Sequence, residues 1–190
     1  MTLELTLTNT PVGPMALYAR EDRLVGLTLD GGHGADHPVE RHLARHLPGV
    51  TTRRSPDAAG AATRLARYFG GELGALDEQA VELLGTEFQR EVWVALRGIP
   101  AGETRSYATV ARSLGRPDAV RAVAAANGAN PIALFVPCHR VIAADRTLWG
   151  YGGGLDRKRW LLTHEGAAFA DRYEQGALAL VGAATPAGRT

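Results

Sequence analysis

Cysteine occurs once in 190 residues, at Cys138. An intrachain disulfide is therefore impossible, and zinc sites built from several cysteines are excluded. Lysine is as scarce: of 21 basic residues only Lys158 is lysine. Long apolar runs are missing too, and none approaches the roughly 20 residues that a bilayer crossing takes. The first residues, Met1-Thr-Leu-Glu-Leu-Thr-Leu7, place no basic segment ahead of an apolar one. No secretory signal is read there, and a cytoplasmic protein is expected. Nor does an excess of charge announce a nucleic-acid partner, since the net is +1. The distribution says more. Residues 1–85 hold 8 basic and 11 acidic side chains, a net of −3, whereas 86–170 hold 11 and 7, a net of +4. Phosphate contact needs local positive charge, not a basic total.

Hydrophobic residues make up 45% and charged residues 22%, enough for one packed domain or two small ones. Residues 3–29 alternate in short stretches broken at Pro11-Val-Gly-Pro14 and Glu21-Asp22, the pattern of antiparallel strands joined by tight turns. Helices are expected over Val39 to Leu47 and Ala58 to Phe69, the second ended by Gly70-Gly71. His42 and His46 share a helix face at this spacing. Such a pair can bind metal, but with no third ligand in reach a solvated face is the plainer reading. Residues 1–80 thus read as an α/β unit with a small antiparallel sheet, and nothing in them reads as chemical.

A mainly helical unit is expected over 81–168. Thr86-Glu-Phe-Gln89 has the form of a capping box. It opens a helix with Phe88, Val92, Trp93 and Leu96 on one face, stopped by Pro100-Ala-Gly102. Ser106 caps a short helix over Tyr107 to Leu114. Gly115-Arg-Pro-Asp118 turns, and Pro117 and Asp118 suit the first positions of a helix running to about Asn127. A short helix, a glycine turn and a second helix make the helix-turn-helix pattern, which alone is a weak signal. Ile132 to Val136 reads as a buried strand that delivers Pro137-Cys138-His139-Arg140. Gly150-Tyr-Gly-Gly-Gly154 reads as a loop, and Asp156 to His164 as a last amphipathic helix. Residues 169–190 read as a flexible tail.

A cysteine reacts as thiolate and needs a base or positive charge beside it. Cys138 has His139 and Arg140 next in sequence, but neighbours along a strand point to opposite sides. On that adjacency alone, a small buried hydrophobe is the better reading of Cys138. The wider segment Asn130-Pro-Ile-Ala-Leu-Phe-Val-Pro-Cys-His-Arg-Val-Ile142 changes this. It resembles the active-site signature of the O6-alkylguanine-DNA alkyltransferases. Phe88-Gln-Arg-Glu-Val-Trp93, Gly102-Glu-Thr-Arg-Ser-Tyr107, Arg121-Ala-Val123, Gly150-Tyr-Gly-Gly-Gly154 and Trp160-Leu-Leu-Thr-His-Glu-Gly166 resemble the family's flanking blocks, in order and spacing. The resemblance is strong over about 86–166 and general over the N-terminal part.

The resemblance implies a ribonuclease H-like N-terminal domain and a helix-turn-helix C-terminal domain. It implies a protein that takes the alkyl group from O6 of guanine in double-stranded DNA and keeps it, one lesion per molecule. O4-alkylthymine is left open as a second substrate. Cys138 would accept the alkyl group, His139 would relay its proton through water, and Glu165 would orient His139. Arg121 would fill the space left by a flipped base, and Tyr107 would crowd its phosphate and bond the guanine ring. Ala122, Ala126 and Asn127 would lie on the helix that enters the minor groove. Asn130 would brace the turn before the active site. The carbonyls of Cys138 and Val141 would accept from the guanine amino group, and Tyr151 with the Gly152 N–H would face the alkylated oxygen.

The chain departs from the family pattern in places. Some members bind zinc through N-terminal cysteines, which are missing here, so no metal and no cofactor is expected. Ala129 stands near a position that is often basic, Trp149 where a small or hydroxyl residue is common, and Gly152 lacks a hydroxyl that some members carry. A monomer that avoids membranes is expected. Three rivals make different predictions: a sensor that grips alkylated DNA without repairing it, a helix-turn-helix regulator, and a cysteine hydrolase that turns over.

Overall fold

The structure, a computed structural model, describes residues 1–170. Three strands, β1 (Thr2–Thr10), β2 (Gly13–Arg20) and β3 (Arg23–Thr28), form the antiparallel meander that the turns imply. A fourth strand, β4 (Thr51–Arg54), lies parallel to β1 on its far side, so the sheet order is β3-β2-β1-β4 and the sheet is mixed, not antiparallel. Helix α1 (Pro38–His46) supplies the crossover that a parallel pair requires. All four β4 residues are exposed and polar or basic, so no alternation marks this edge strand in the sequence.

Both faces of the sheet are covered. Ala16, Tyr18 and Val25 face α1 through Leu43 and Leu47 in one small core. Met15, Leu17, Leu24 and Leu27 face the other way into the main core, which also takes in Leu65 and Tyr68 of α2 (Ala61–Phe69) and Val92, Trp93 and Leu96 of α3 (Glu87–Arg97). Val123, Phe135, Cys138, Val141 and Leu161 belong to the same core. One apolar interior therefore joins the two stretches of chain, reinforced by the Leu27 N–H donating to the Pro131 carbonyl at 2.8 Å.

Helix α3 starts where its capping box ends: the Thr86 hydroxyl accepts from the Gln89 N–H and the Gln89 side chain accepts from the Thr86 N–H. Ser106 caps α4 (Tyr107–Ser113) by accepting from the Thr109 N–H. Gly115, at φ +69°, closes α4, and the Arg116 N–H reaches back to the Ala111 carbonyl. Helix α5 (Val120–Gly128) then packs on α3 and α4, with Ala119 as N-cap. Pro117 and Asp118 are not its first turn. The Ala119 N–H donates to the Arg116 carbonyl, and this separate turn uses them up before the helix begins.

The run from Ile132 to Val136 is not a strand. Leu134 has φ +70°, and the Val136 N–H donates to the Ile132 carbonyl at 2.9 Å, so these buried residues fold into a tight turn. Short parallel strands β5 (Arg105–Ser106, just before α4) and β6 (Val141–Ile142, after the 138–140 turn) pair, and α6 (Leu155–His164) packs against the core. Two residues of the expected tail are ordered by contacts: Phe169 packs on Ile142 and Leu162, and the Ala170 N–H bonds the Arg146 carbonyl. Residues 171–190 lie outside the described structure.

The Trp93 indole N–H donates to the Ala126 carbonyl at 2.8 Å and ties α3 to α5 inside the core. Trp93→Phe is expected to lower the unfolding free energy by about 2 kcal/mol, through the orphaned carbonyl and the lost ring volume. Urea unfolding monitored by circular dichroism measures it; an unchanged midpoint would show that the tie contributes nothing.

Candidate active site

Cys138 opens one turn of 3-10 helix, Cys138–Arg140, directly after the buried turn. Asn130 holds that turn in shape. Its amide nitrogen donates to the Val136 carbonyl at 2.8 Å and its oxygen accepts from the Ile132 N–H at 3.0 Å. Because 138–140 are helical and not extended, His139 and Arg140 point into the protein, and each is essentially unexposed.

Both meet Glu165, the residue that ends α6. Its carboxylate accepts from the Tyr68 hydroxyl at 2.8 Å, from His139 Nε2 at 3.0 Å, and from Arg140 through Nη2 at 2.8 Å and Nε at 3.0 Å. Arg140 also donates Nη1 to the Ile99 carbonyl at 2.6 Å. Burial alone would raise the Glu165 carboxyl, but the hydrogen bonds and charges of His139 and Arg140 outweigh it and hold the pKa at about 2. Burial pushes His139 down, against the pull of Glu165, so the imidazole is neutral at pH 7. A neutral ring facing an ionised carboxylate through Nε2 must carry its proton there. Nδ1 is then the basic nitrogen, and it is buried without a hydrogen-bond partner.

The sulfur lies at a cavity of about 490 Å³. Tyr107 of α4, Asn127 of α5, Asn130, Tyr151 and Gly152 line it, together with Trp149 and, from the N-terminal half, Leu29. The Tyr151 hydroxyl and Asn127 Oδ1 are buried there without partners. Burial raises the phenols of Tyr107 and Tyr151 and keeps both as donors. Burial also pushes the Cys138 thiol up. The Asn130 side chain, the Lys158 charge and the backbone N–H groups of residues 138 and 139 oppose it. The arrangement is a protonated thiol at a partly open cavity, with a neutral imidazole next in the chain and two phenolic donors lining the same cavity. A larger cavity of about 640 Å³ between α1 and residues 128–131 shares Asn130 and Gly152 with this one but does not reach the sulfur.

Comparison with known proteins gives the chemistry a family. The model of the DNA-binding domain of 6-O-methylguanine DNA methyltransferase matches residues 87–167. The methylated-DNA–protein-cysteine methyltransferase of Salmonella typhimurium is 45% identical over 158 residues, 83% of this chain and 92% of its own. That of Mycolicibacterium paratuberculosis is 46% identical over 164 residues, 86% and 92% of the two chains. The chain belongs to this family of methyltransferases. A crystal structure of Mycobacterium tuberculosis OGT in complex with DNA superposes with a TM-score of 0.71 at 41% identity, covering 86% of this chain and 92% of that one. The enzyme of Pyrococcus kodakaraensis, at 23% identity and a TM-score of 0.62, shares the fold.

Of the other residues singled out in the sequence, Arg121 and Ala122 are exposed on α5, while Ala126 and Asn127 are buried on its inner side. Val141 is fully buried, and its carbonyl accepts from Lys158. The Cys138 carbonyl accepts from the Val141 N–H. His42 and His46 bond the carbonyls of Leu84 and His42 respectively, with their rings tilted at 37° and centroids 4.4 Å apart, so this pair is structural. Among the described residues no group of three or more His, Cys, Asp or Glu is placed to hold a metal.

Sequence reasoning assigns Tyr68 and Lys158 no role and marks Arg140 only as a charge next to Cys138, yet Tyr68 and Arg140 bond Glu165 and Lys158 bonds Val141 and Trp149. A signal existed. Lys158, Leu161, Leu162 and Glu165 fall at i, i+3, i+4 and i+7, one stripe of α6. A lysine and a glutamate at the ends of an apolar stripe are polar groups inside the core.

Glu165→Gln is expected to cost about 3 kcal/mol at pH 7, because Arg140 loses its buried counter-charge. The wild-type carboxyl ionises at about 2 in the fold against an ordinary 4.5. Its stabilisation is therefore complete above about pH 4.5 and is lost as pH falls toward 2. Unfolding free energies across that window will show a shallower acid loss in Glu165→Gln. Equal acid loss in both proteins contradicts the carboxylate's role.

Proposed function

We propose that this chain repairs DNA by transferring the alkyl group of O6-alkylguanine irreversibly to Cys138, one lesion per molecule. The observation that carries this is the site itself: a lone cysteine at a cavity of about 490 Å³, followed by a buried neutral histidine whose Nε2 is bound to a carboxylate.

The proton of the Cys138 thiol passes through water to Nδ1 of His139, the nitrogen left free by the Nε2–Glu165 bond. Glu165 stays ionised and stabilises the imidazolium that forms, the same division of labour as in other nucleophile–base–carboxylate sites. The thiolate attacks the alkyl carbon, the S–C bond forms as the C–O6 bond breaks, and guanine leaves with a proton supplied from the site. Net, a thiol and an alkylated guanine become a thioether and guanine. The phenols of Tyr107 and Tyr151 and the Gly152 N–H are the donors that make guanine a better leaving group. Nothing in the reaction regenerates the thiol.

Stacked bases are out of reach of a buried sulfur, so the target nucleotide must be turned out of the duplex. We read α4 and α5 as a helix-turn-helix that presents α5 to the minor groove. The exposed Arg121 would take the place of the flipped base, and the exposed Ala122 and its small neighbours would allow close approach. Asn127 faces inward and would act from the cavity side, while Ala126 packs in the core behind it and supports the helix. Residues 81–168 form the gripping and transferring unit in this reading. Residues 1–80 support it, and their sheet order β3-β2-β1-β4 with a parallel last strand supports a ribonuclease H-like description. The reading takes the protein to act as a monomer in the cytoplasm.

Intact-protein mass spectrometry after incubation with excess duplex carrying O6-methylguanine tests the proposal. One methyl adduct per molecule is expected, mapping to Cys138, with none in Cys138→Ala. Tight lesion binding without an adduct would favour a damage sensor instead. Arg121→Ala is expected to slow transfer from duplex by roughly tenfold or more while sparing reaction with free O6-benzylguanine; an equal loss on both substrates would remove Arg121 from the flipping role.

A further inference from the structure

Of the lysines and arginines in this chain all are arginine except one, and that one, Lys158, is fully buried. Lys158 reaches from α6 with Nζ donating to the Val141 carbonyl at 2.7 Å and to the Trp149 carbonyl at 2.9 Å. Of these two residues, Trp149 lines the Cys138 cavity. Val141 follows the reactive turn, and Trp149 begins the glycine-rich loop that supplies Tyr151 and Gly152. Burying an ammonium is costly unless its bonds or a nearby anion compensate. Its two bonds are to neutral oxygens, and the ionisable group that acts on it is Cys138.

The other ionisable groups around the sulfur do not supply positive charge to it. Arg140 is committed to Glu165, His139 is held neutral, and Tyr107 and Tyr151 keep their protons. An arginine would not serve, since a planar fork is too large and wrongly shaped to sit between two converging carbonyls where a compact ammonium fits. The influence is mutual. Burial brings Lys158 down to about 8 while Cys138 raises it, and Lys158 in turn lowers the thiol.

We propose that Lys158 is a positioning residue for alkyl transfer: its buried ammonium clamps the Val141 and Trp149 carbonyls, fixing the loop wall of the cavity to the strand that follows the Cys138 turn, and favours the thiolate of Cys138. The role in transfer rests on the alkyltransferase reading. The clamp and its charge can be tested without DNA.

The test is the pH dependence of Cys138 alkylation by iodoacetamide in wild type and Lys158→Met, followed by intact mass. Without the ammonium the rise in rate is expected to move up by about one pH unit, making alkylation at neutral pH about tenfold slower. A folded Lys158→Met with an unchanged profile overturns the proposal. If that variant does not fold, the wild type decides. With 15Nζ-labelled lysine the single lysine gives one resonance, which is expected to shift on alkylation of Cys138 and to titrate at lower pH in Cys138→Ser. A resonance indifferent to both changes overturns the proposal equally. If Lys158 passes these tests and wild type takes no methyl group from O6-methylguanine duplex, the alkyltransferase reading fails and the clamp stands.

Discussion

One buried carboxylate organises this protein. Glu165 ends α6 inside the core and accepts hydrogen bonds from Tyr68, His139 and Arg140, groups drawn from both halves of the chain. A carboxylate in such a place is unfavourable unless every lone pair is used, and removing one partner of a buried pair costs about 3–5 kcal/mol. The four bonds therefore act together. They set the end of α6, the position of α2 through Tyr68, and the helical turn at 138–140. They also decide which nitrogen of His139 is free. The orientation of the His139 ring therefore depends on the same interaction as the fold.

The second constraint is the buried turn at 130–137. A strand would have sent Cys138 and His139 to opposite sides. The left-handed Leu134 and the two bonds of Asn130 fold the segment back, and the 3-10 turn after it turns His139 inward while the sulfur stays at the cavity. The cavity's other wall comes from the loop at 149–152, which Lys158 ties to β6. The half of the chain with a net positive charge is also the half that carries α4, α5 and the sulfur.

Much of this was legible in the sequence because local chemistry decides it. Thr86 and Ser106 cap the helices they announce, and the two N-terminal turns give the meander. The short apolar run Ile132 to Val136 misleads because a buried strand and a buried turn need the same residues, and only Asn130 chooses between them. Pro117 and Asp118 suit a helix start, but one extra hydrogen-bonded turn takes precedence. Strand β4 has no apolar alternation because its side chains face solvent at the sheet's edge. Tyr68 is invisible for another reason. Its partner lies 97 residues away, and no local pattern encodes a contact of that range. Glu165 and Lys158 lie between these cases, since the α6 stripe marks them as buried while only the assembled core says why.

The claim that matters most is that Glu165 fixes His139 as the Nε2–H tautomer, leaving Nδ1 as the base. Nitrogen-15 NMR of the histidine ring in the unreacted protein at neutral pH measures this directly. The account predicts a neutral His139 with a protonated Nε2 and a bare Nδ1. A ring protonated at Nδ1 alone, or at both nitrogens, would contradict it.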